Sequence, residues 1–418
     1  MFRPWLTALV LLASIITAGK IQAGQETLDS LIAAALANNP ELSSADFRAR
    51  ASEYRAYASA ALPDPVFSVS PSNLPHSSLA LDETPMSGLS LGLSQTIPWP
   101  GKLKARSHAG RFQQQQDEAT AQAVRNRLIR EVTGAYFDYS YWLLAGRTID
   151  ENIALIDATT RVTEERYAQG KASAHDVLRA QTTLSRLQIR RLKAAQEQES
   201  ALLQLWRTVK DSSLISHLPA YLPEFQSDQR GLPTIAGNPL VHRAEASVKQ
   251  AEAQRHLARS GYWPDFTVGV DYRLREASPG DPLAGEDFLS FKVGISLPLW
   301  FFSKQKNEVR ASQQMLLARR ENEQAVRDRL DQQLKDNRLN LGVLAESLEK
   351  YDRAILPQAR AGFEAAEIAY EVGRIDFNAL LSAEMELLDV QLERLELLNR
   401  INQTRAQLAE LAGQNYER

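Results

Sequence analysis

The side chains that most often do chemistry are spread too thinly in this sequence to do it together. The six histidines are His76, His108, His175, His217, His242 and His256. No two stand at i, i+3 or i, i+4, the spacing that sets two imidazoles on one helical face for a metal ion. Met1, Met86, Met315 and Met385 are equally scattered, so no thioether relay for a soft metal is visible. Cysteine is absent. That excludes thiolate zinc sites, iron–sulfur clusters, disulfide scaffolds and cysteine nucleophiles, as well as the acylated cysteine of bacterial lipoproteins. No phosphate-binding glycine loop and no nucleophile elbow occurs. Carboxylates are plentiful but stand in Arg-rich stretches as i, i+4 partners, Glu396 and Arg400 for example. With 48 Lys+Arg against 51 Asp+Glu, there is no basic face to imply a nucleic-acid partner. The sequence thus predicts no enzyme, no catalytic residue, no cofactor and no metal site.

The elements tell more than the side chains. Met1-Phe2-Arg3 is a short basic start, and Trp5 to Ala18 is an apolar run too short to span a bilayer as a helix. With Ile21-Gln22-Ala23 as a cleavage site, residues 1–23 read as an export signal. From Gly101 to Leu218 there is no proline, and from Leu299 to Arg418 only Pro357. Both stretches are rich in Ala, Leu, Gln, Glu and Arg, the helix formers. The spacing predicts coiled-coil lengths, with one helix from Ala174 to about Lys210. Leu381, Met385, Leu388, Leu392 and Leu395 recur as a heptad seam, with Leu380, Leu387 and Leu398 beside it. Four segments instead alternate with period two, at about 65–71, 88–97, 265–275 and 288–298. A soluble antiparallel sheet would alternate in the same way. The export signal, and helices with little spare apolar surface, favour strands that face lipid on one side.

The chain repeats itself at an offset of roughly 200 residues. Asn39-Pro40 and Asn238-Pro239 each begin a helix. Leu62-Pro63-Asp64-Pro65 and Trp263-Pro264-Asp265-Phe266 each open a strand. Ile97-Pro98-Trp99 and Leu297-Pro298-Leu299-Trp300 each close one. Arg166-Tyr167-Ala168-Gln169-Gly170 later matches Ala369-Tyr370-Glu371-Val372-Gly373. The expected organisation is a first repeat over 24–210, a linker rich in Pro, Ser and Asp over 211–237, and a second repeat over 238–418. Four strands are too few to close a barrel, and an open sheet in lipid leaves two edges of unsatisfied backbone groups. Under this reading several subunits must share one barrel.

This order of helix, strand, loop, strand and long helices resembles the TolC-type outer-membrane efflux proteins. Ala61-Leu62-Pro63-Asp64-Pro65 and Ser94-Gln95-Thr96-Ile97-Pro98-Trp99-Pro100-Gly101-Lys102 resemble in particular the heavy-metal branch, which serves copper/silver or cobalt/zinc/cadmium systems. The resemblance implies a mainly α fold with a small β part: duplicated helical hairpins and four transmembrane strands in each subunit of a homotrimer. The trimer shares a twelve-stranded barrel in outer-membrane lipid of a Gram-negative bacterium and an α-helical tunnel in the periplasm. The implied partners are a periplasmic adaptor and an inner-membrane pump of the resistance-nodulation-division type. Without a cysteine, no lipid anchor is expected. Drug efflux or type I protein secretion through the same architecture, and a periplasmic coiled-coil adaptor, are the competing readings. Adaptors carry one helical hairpin, so the duplication and the strands argue against the last.

The resemblance also places the gate. Gly170 and Gly373 break the helices at corresponding points, and in the family these turns form a periplasmic tip that closes the tunnel. By position, Asp176 matches an acid that contacts the tyrosine before the second turn, here Tyr370, and Arg374 lies one place short of the family's partner arginine. A network of Asp176, Tyr370 and Arg374 is the expected gate. Asp176 equally stands where the following helix needs an N-cap. The acidic pair that selects cations in some members falls on Ala379 and Ser382, so Asp376 becomes the candidate for that role.

Overall fold

The computed structural model describes residues 24–170, 172–216, 218–224 and 233–413. The expected export signal lies outside them. The described residues form two compact units: those within 24–44, 121–239 and 327–413 make the first, and residues 45–120 and 240–326 the second.

The helices are α1 (24–38), α2 (Pro40–Ala58), α3 (Lys102–Ala168), α4 (Ala174–Val209), a single turn α5 (Ser212–Ile215), α6 (Pro239–Ser260), α7 (Gln305–Lys350), α8 (Leu356–Glu371) and α9 (Phe377–Ala412). The strands are β1 (Val66–Ser72), β2 (Gly88–Ile97), β3 (Phe266–Leu274) and β4 (Phe288–Ile295). The architecture is mainly helical with one small sheet, as the sequence predicts. Among the described residues no helix is long and apolar enough to cross a membrane.

The first unit is a helical core. In one of its clusters Leu31, Leu42, Val132, Tyr136, Phe137 and Leu205 are fully buried. The Tyr136 and Tyr139 hydroxyls donate to the Pro219 and Leu218 carbonyls at 2.8 and 2.9 Å. Ser140 accepts the Tyr221 N–H at 3.0 Å, so residues 218–221 are held against α3 by its buried polar groups. Burial raises the Tyr136 hydroxyl far above its ordinary value, so it keeps the proton it donates even in alkaline solution. The repeated Asn-Pro pairs do the same work twice. Asn39 Nδ2 donates to the Thr208 carbonyl at the end of α4 (3.2 Å), and Asn238 Nδ2 to the Leu411 carbonyl at the end of α9 (3.0 Å). Each thereby satisfies a carbonyl left open in a last helical turn. Pro357, at the start of α8, has no N–H to give, and the helix widens over Tyr351–Ile355 into a π-turn.

The second unit holds the sheet, antiparallel in the order β1-β2-β3-β4. The middle pair joins the two repeats, from Leu89↔Leu274 to Ile97↔Phe266. β1 and β4 each pair on one side only. Gly110 of α3 sits against Ala56 of α2, where an added Cβ would come within 2.9 Å of backbone. Gln250 exchanges amide hydrogen bonds with Gln113 and Gln116, each 2.9 Å.

Candidate functional site

Two features of the second unit and one of the first bear on function. The first is the sheet's two faces. Phe67 and Val69 on β1, Leu93 on β2, Val268 and Tyr272 on β3, and Leu289, Phe291, Val293 and Ile295 on β4 are all exposed; Phe291 reaches 79%. On the other face Ser68 pairs with Gly92, and Gly92 with Asp271, along one row. Ser70, Ser90 and Arg273 form the next row. The Asp271 carboxylate binds Lys292 Nζ at 2.7 Å, and Arg273 Nε donates to Ser90 Oγ at 3.2 Å. Gly92 leaves room for this: an added Cβ would meet Ser68 Oγ at 2.6 Å and Asp271 Oδ1 at 2.7 Å. A sheet that exposes its apolar face and gathers its charges on the other reverses the soluble arrangement, in which apolar side chains face a core.

The second feature is the joint between strands and helices. Asp265, just before β3, accepts from Lys102 Nζ and from the Trp99 N–H, each at 2.8 Å. Lys102 Nζ also donates to the Trp263 carbonyl at 2.9 Å. The Trp99 and Trp263 rings stack over this pair, centroids 4.9 Å apart and 9° from parallel. These residues are landmarks in the sequence, but their separation of more than 160 residues hides that they are partners.

The third is the pair of turns in the first unit. Gly170 and Gly373 both take the left-handed conformation, φ 72° and 71°, which glycine alone adopts without cost. After the first turn Ser173, not Asp176, is the N-cap: its hydroxyl accepts the Asp176 N–H at 3.2 Å, and the Asp176 carboxylate accepts the Ser173 N–H at 3.1 Å. This is a capping box, with the acid at its third position. After the second turn Asp376 is itself the N-cap, accepting the Ala379 N–H at 2.9 Å.

Within one chain these turns bring together a different set from the expected one. Asp176 makes no hydrogen bond with Tyr370 or Arg374; beyond Ser173, whose hydroxyl also lies 2.7 Å from its carboxylate, its contact is with Asn378 Nδ2, at 3.5 Å. Tyr370 packs edge-on against Phe377 with Arg166 over its ring at 4.6 Å. The Arg374 N–H closes the turn on the Ala369 carbonyl at 2.8 Å. Ala379 and Ser382 carry no charge, and the buried acid of α9 is Glu384, 2% exposed with Oε1 unbonded. Burial, with Glu367 nearby, pushes its carboxyl up to about 8. Its place between Leu380 and Leu388 in the helical stripe was the sequence signal for that burial. Among the described residues no cluster of three or more His, Cys, Asp or Glu is placed to hold a metal ion.

The chain combines long helices with one short sheet that exposes an apolar face and leaves two edges open, a pattern that suits strands meeting lipid. The family model for outer membrane efflux proteins matches residues 31–209 and again 234–414, and the chain belongs to that family. The cobalt-zinc-cadmium resistance protein CzcC of Cupriavidus metallidurans is 22% identical over 321 residues, 75% of this chain and 74% of that protein. The probable outer membrane lipoprotein SilC of Salmonella typhimurium is 24% identical over 324 residues, 73% of this chain and 68% of that protein. The crystal structure of the outer membrane protein VceC from Vibrio cholerae superposes with a TM-score of 0.80 at 18% identity, over 95% of this chain and 98% of that one.

Proposed function

We propose that this chain is the outer-membrane channel of a tripartite efflux system and passes heavy-metal cations from the periplasm to the outside. Three copies share one twelve-stranded barrel, and their helices line a tunnel that meets a periplasmic adaptor and a resistance-nodulation-division pump. The energy comes from the pump, and the channel conducts passively. Residues 24–210 and 238–418 act as two copies of one unit joined by 211–237. The turns at Gly170 and Gly373, with Asp176, Tyr370, Arg374 and Asp376, form the closed tip.

The observation that supports this reading is the sheet, with its apolar face outward and its outer edges unpaired. Such edges are costly in lipid unless a neighbouring copy pairs with them. The metal cargo rests on the name of CzcC. SilC is named a lipoprotein, but this sequence has no cysteine to acylate, so the barrel alone holds the channel in the membrane. The test is a deletion strain challenged with copper, silver, zinc, cobalt, cadmium and a panel of drugs. Lower tolerance of one or more metals, restored by the gene, is the expected result. Sensitivity to drugs with unchanged metal tolerance would replace the metal reading with drug efflux.

A further inference from the structure

We propose that Arg273 forms a ring of fixed positive charge inside the barrel and gives its lumen a preference for anions. The inference rests on the reading that copies of this chain close the sheet into a barrel. The four strands together carry three charged residues, Asp271, Arg273 and Lys292. All three lie on the polar face, the face a closed barrel turns toward water. Two are cations and one is an anion, and the anion is already engaged: Asp271 holds Lys292 at 2.7 Å. Arg273 has no carboxylate partner on the face. Its guanidinium donates to the neutral Ser90 hydroxyl at 3.2 Å, and its stem lies over Gly88, where an added Cβ would meet Cγ at 3.0 Å.

A cyclic assembly places the same residue of every copy at the same height, so the Arg273 side chains form one layer. Rings of arginine or lysine favour anions in a pore, and rings of carboxylates favour cations. Arginine stays charged at any working pH, so the ring is permanent. The loops carry the opposite charge. Asp281 is buried in an ion pair with Arg275 at 2.5 Å, and Asp287 accepts the Arg275 N–H at 2.9 Å. Asp82, Glu83, Glu276 and Glu286 are exposed. Charges in open water are screened within about 8 Å at physiological salt, whereas charges inside a narrow, low-dielectric wall focus their field on the pore. Arg273 pairs with Phe288, the first residue of β4, so its ring stands at the loop end of the barrel, the layer where the wall first focuses charge on the pore. The preference concerns ions that move freely through the lumen; a metal cation delivered by the pump crosses against it, and with the one carboxylate of the face held by Lys292 it meets no free acid there to detain it.

The test is the reversal potential of the purified protein in planar bilayers under a KCl gradient. The wild type should favour chloride. Arg273→Gln should lower the chloride-to-potassium permeability ratio at least about twofold, and Arg273→Glu should invert the preference. Arg273→Lys keeps the charge and should keep the ratio, and Glu286→Gln in the loop should leave it unchanged. Conducting channels whose reversal potential is the same for wild type, R273Q and R273E would overturn the ring. So would an R273K shift as large as that of R273Q, because the residue would then act through its hydrogen bond and not its charge. A wild-type protein that is monomeric in detergent and forms no conducting channel, even with the tip loosened by Asp176→Ala, removes the barrel reading itself, a separate failure.

Discussion

The strand–helix joint and the two turns come from the same duplicated sequence, yet they are held in opposite ways. At the joint, one repeat grips the other: Lys102 and Asp265 come from different copies, and the lysine side chain is only 10% exposed. The same landmarks recur in the other half, but Asp64 has no hydrogen-bond partner among the described residues, and Trp300 and Phe302 are 72% and 73% exposed. At the turns the hydrogen bonds stay mainly within each repeat, and what crosses is the Arg166 guanidinium over the Tyr370 ring and apolar packing. Ser173 and Asp376 cap their own helices, and the hydrogen bond between repeats is the 3.5 Å approach of Asn378 to Asp176. The joint is thus stabilised by long-range pairing of a buried charge, the turns by local capping. A polar tie of the first kind resists separation of the repeats, and one of the second kind adds little resistance of its own.

The largest effect should come from breaking the grip. Asp265→Ala leaves the buried Lys102 ammonium with one carbonyl and strips the Trp99 N–H of its acceptor. Leaving a buried charge unpaired costs about 3 kcal/mol, which should appear as a clear fall in melting temperature in detergent. Asp64→Ala should cost nothing in a dissociated chain. In the assembled protein it should weaken the oligomer if a neighbouring copy closes the second joint. An Asp265→Ala protein as stable as the wild type would sink the contrast.

Next comes Glu384, whose helix α9 begins at the second turn. Its folded pKa of about 8 lies above its ordinary value of 4.5. Between those values the folded chain keeps a proton that the unfolded chain releases. Stability is therefore full below about pH 4.5 and declines as pH rises toward about 8, by roughly 1 kcal/mol per unit. Glu384→Gln should abolish that slope and melt higher than the wild type at pH 8, because the neutral amide suffers no ionisation. Parallel pH profiles for the two proteins would remove Glu384 from the account.

The fold was legible wherever the pattern was long. The heptad seam places Leu381 and Leu388 in the buried cluster with Leu187, and strict alternation marks β3 and β4 within three residues of their ends. The recurring landmarks, prolines and turn glycines, were legible because they serve local backbone needs and so leave local signatures. What stayed hidden is long-range and polar. Nothing near Lys102 in sequence points to Asp265, and nothing near Asp138 points to Asn399 and Gln403, which donate to it at 2.8 and 2.5 Å. At the turns the expected Asp176–Tyr370–Arg374 set followed family position, whereas within one chain the box Ser173-x-x-Asp176 claims the carboxylate first. That box was readable, since a serine three residues before an acid at a helix start is a local signal.

The smallest effect on stability, and the most telling for the turns, belongs to Asn378. At 3.5 Å its amide makes a weak bond to Asp176 Oδ1, so Asn378→Ala should change the melting temperature very little, by less than about 0.5 kcal/mol in stability. Asp176→Ala also dismantles the capping box and should cost about 1 kcal/mol. The two variants therefore separate capping from gating. If the tie between repeats holds a closed tip, both should raise single-channel conductance in planar bilayers although only one destabilises the fold. If Asp176 only caps α4, the D176A protein melts earlier and neither variant conducts more. In that case closure must be sought between copies, where Tyr370 and Arg374 are free to meet an acid of a neighbouring chain.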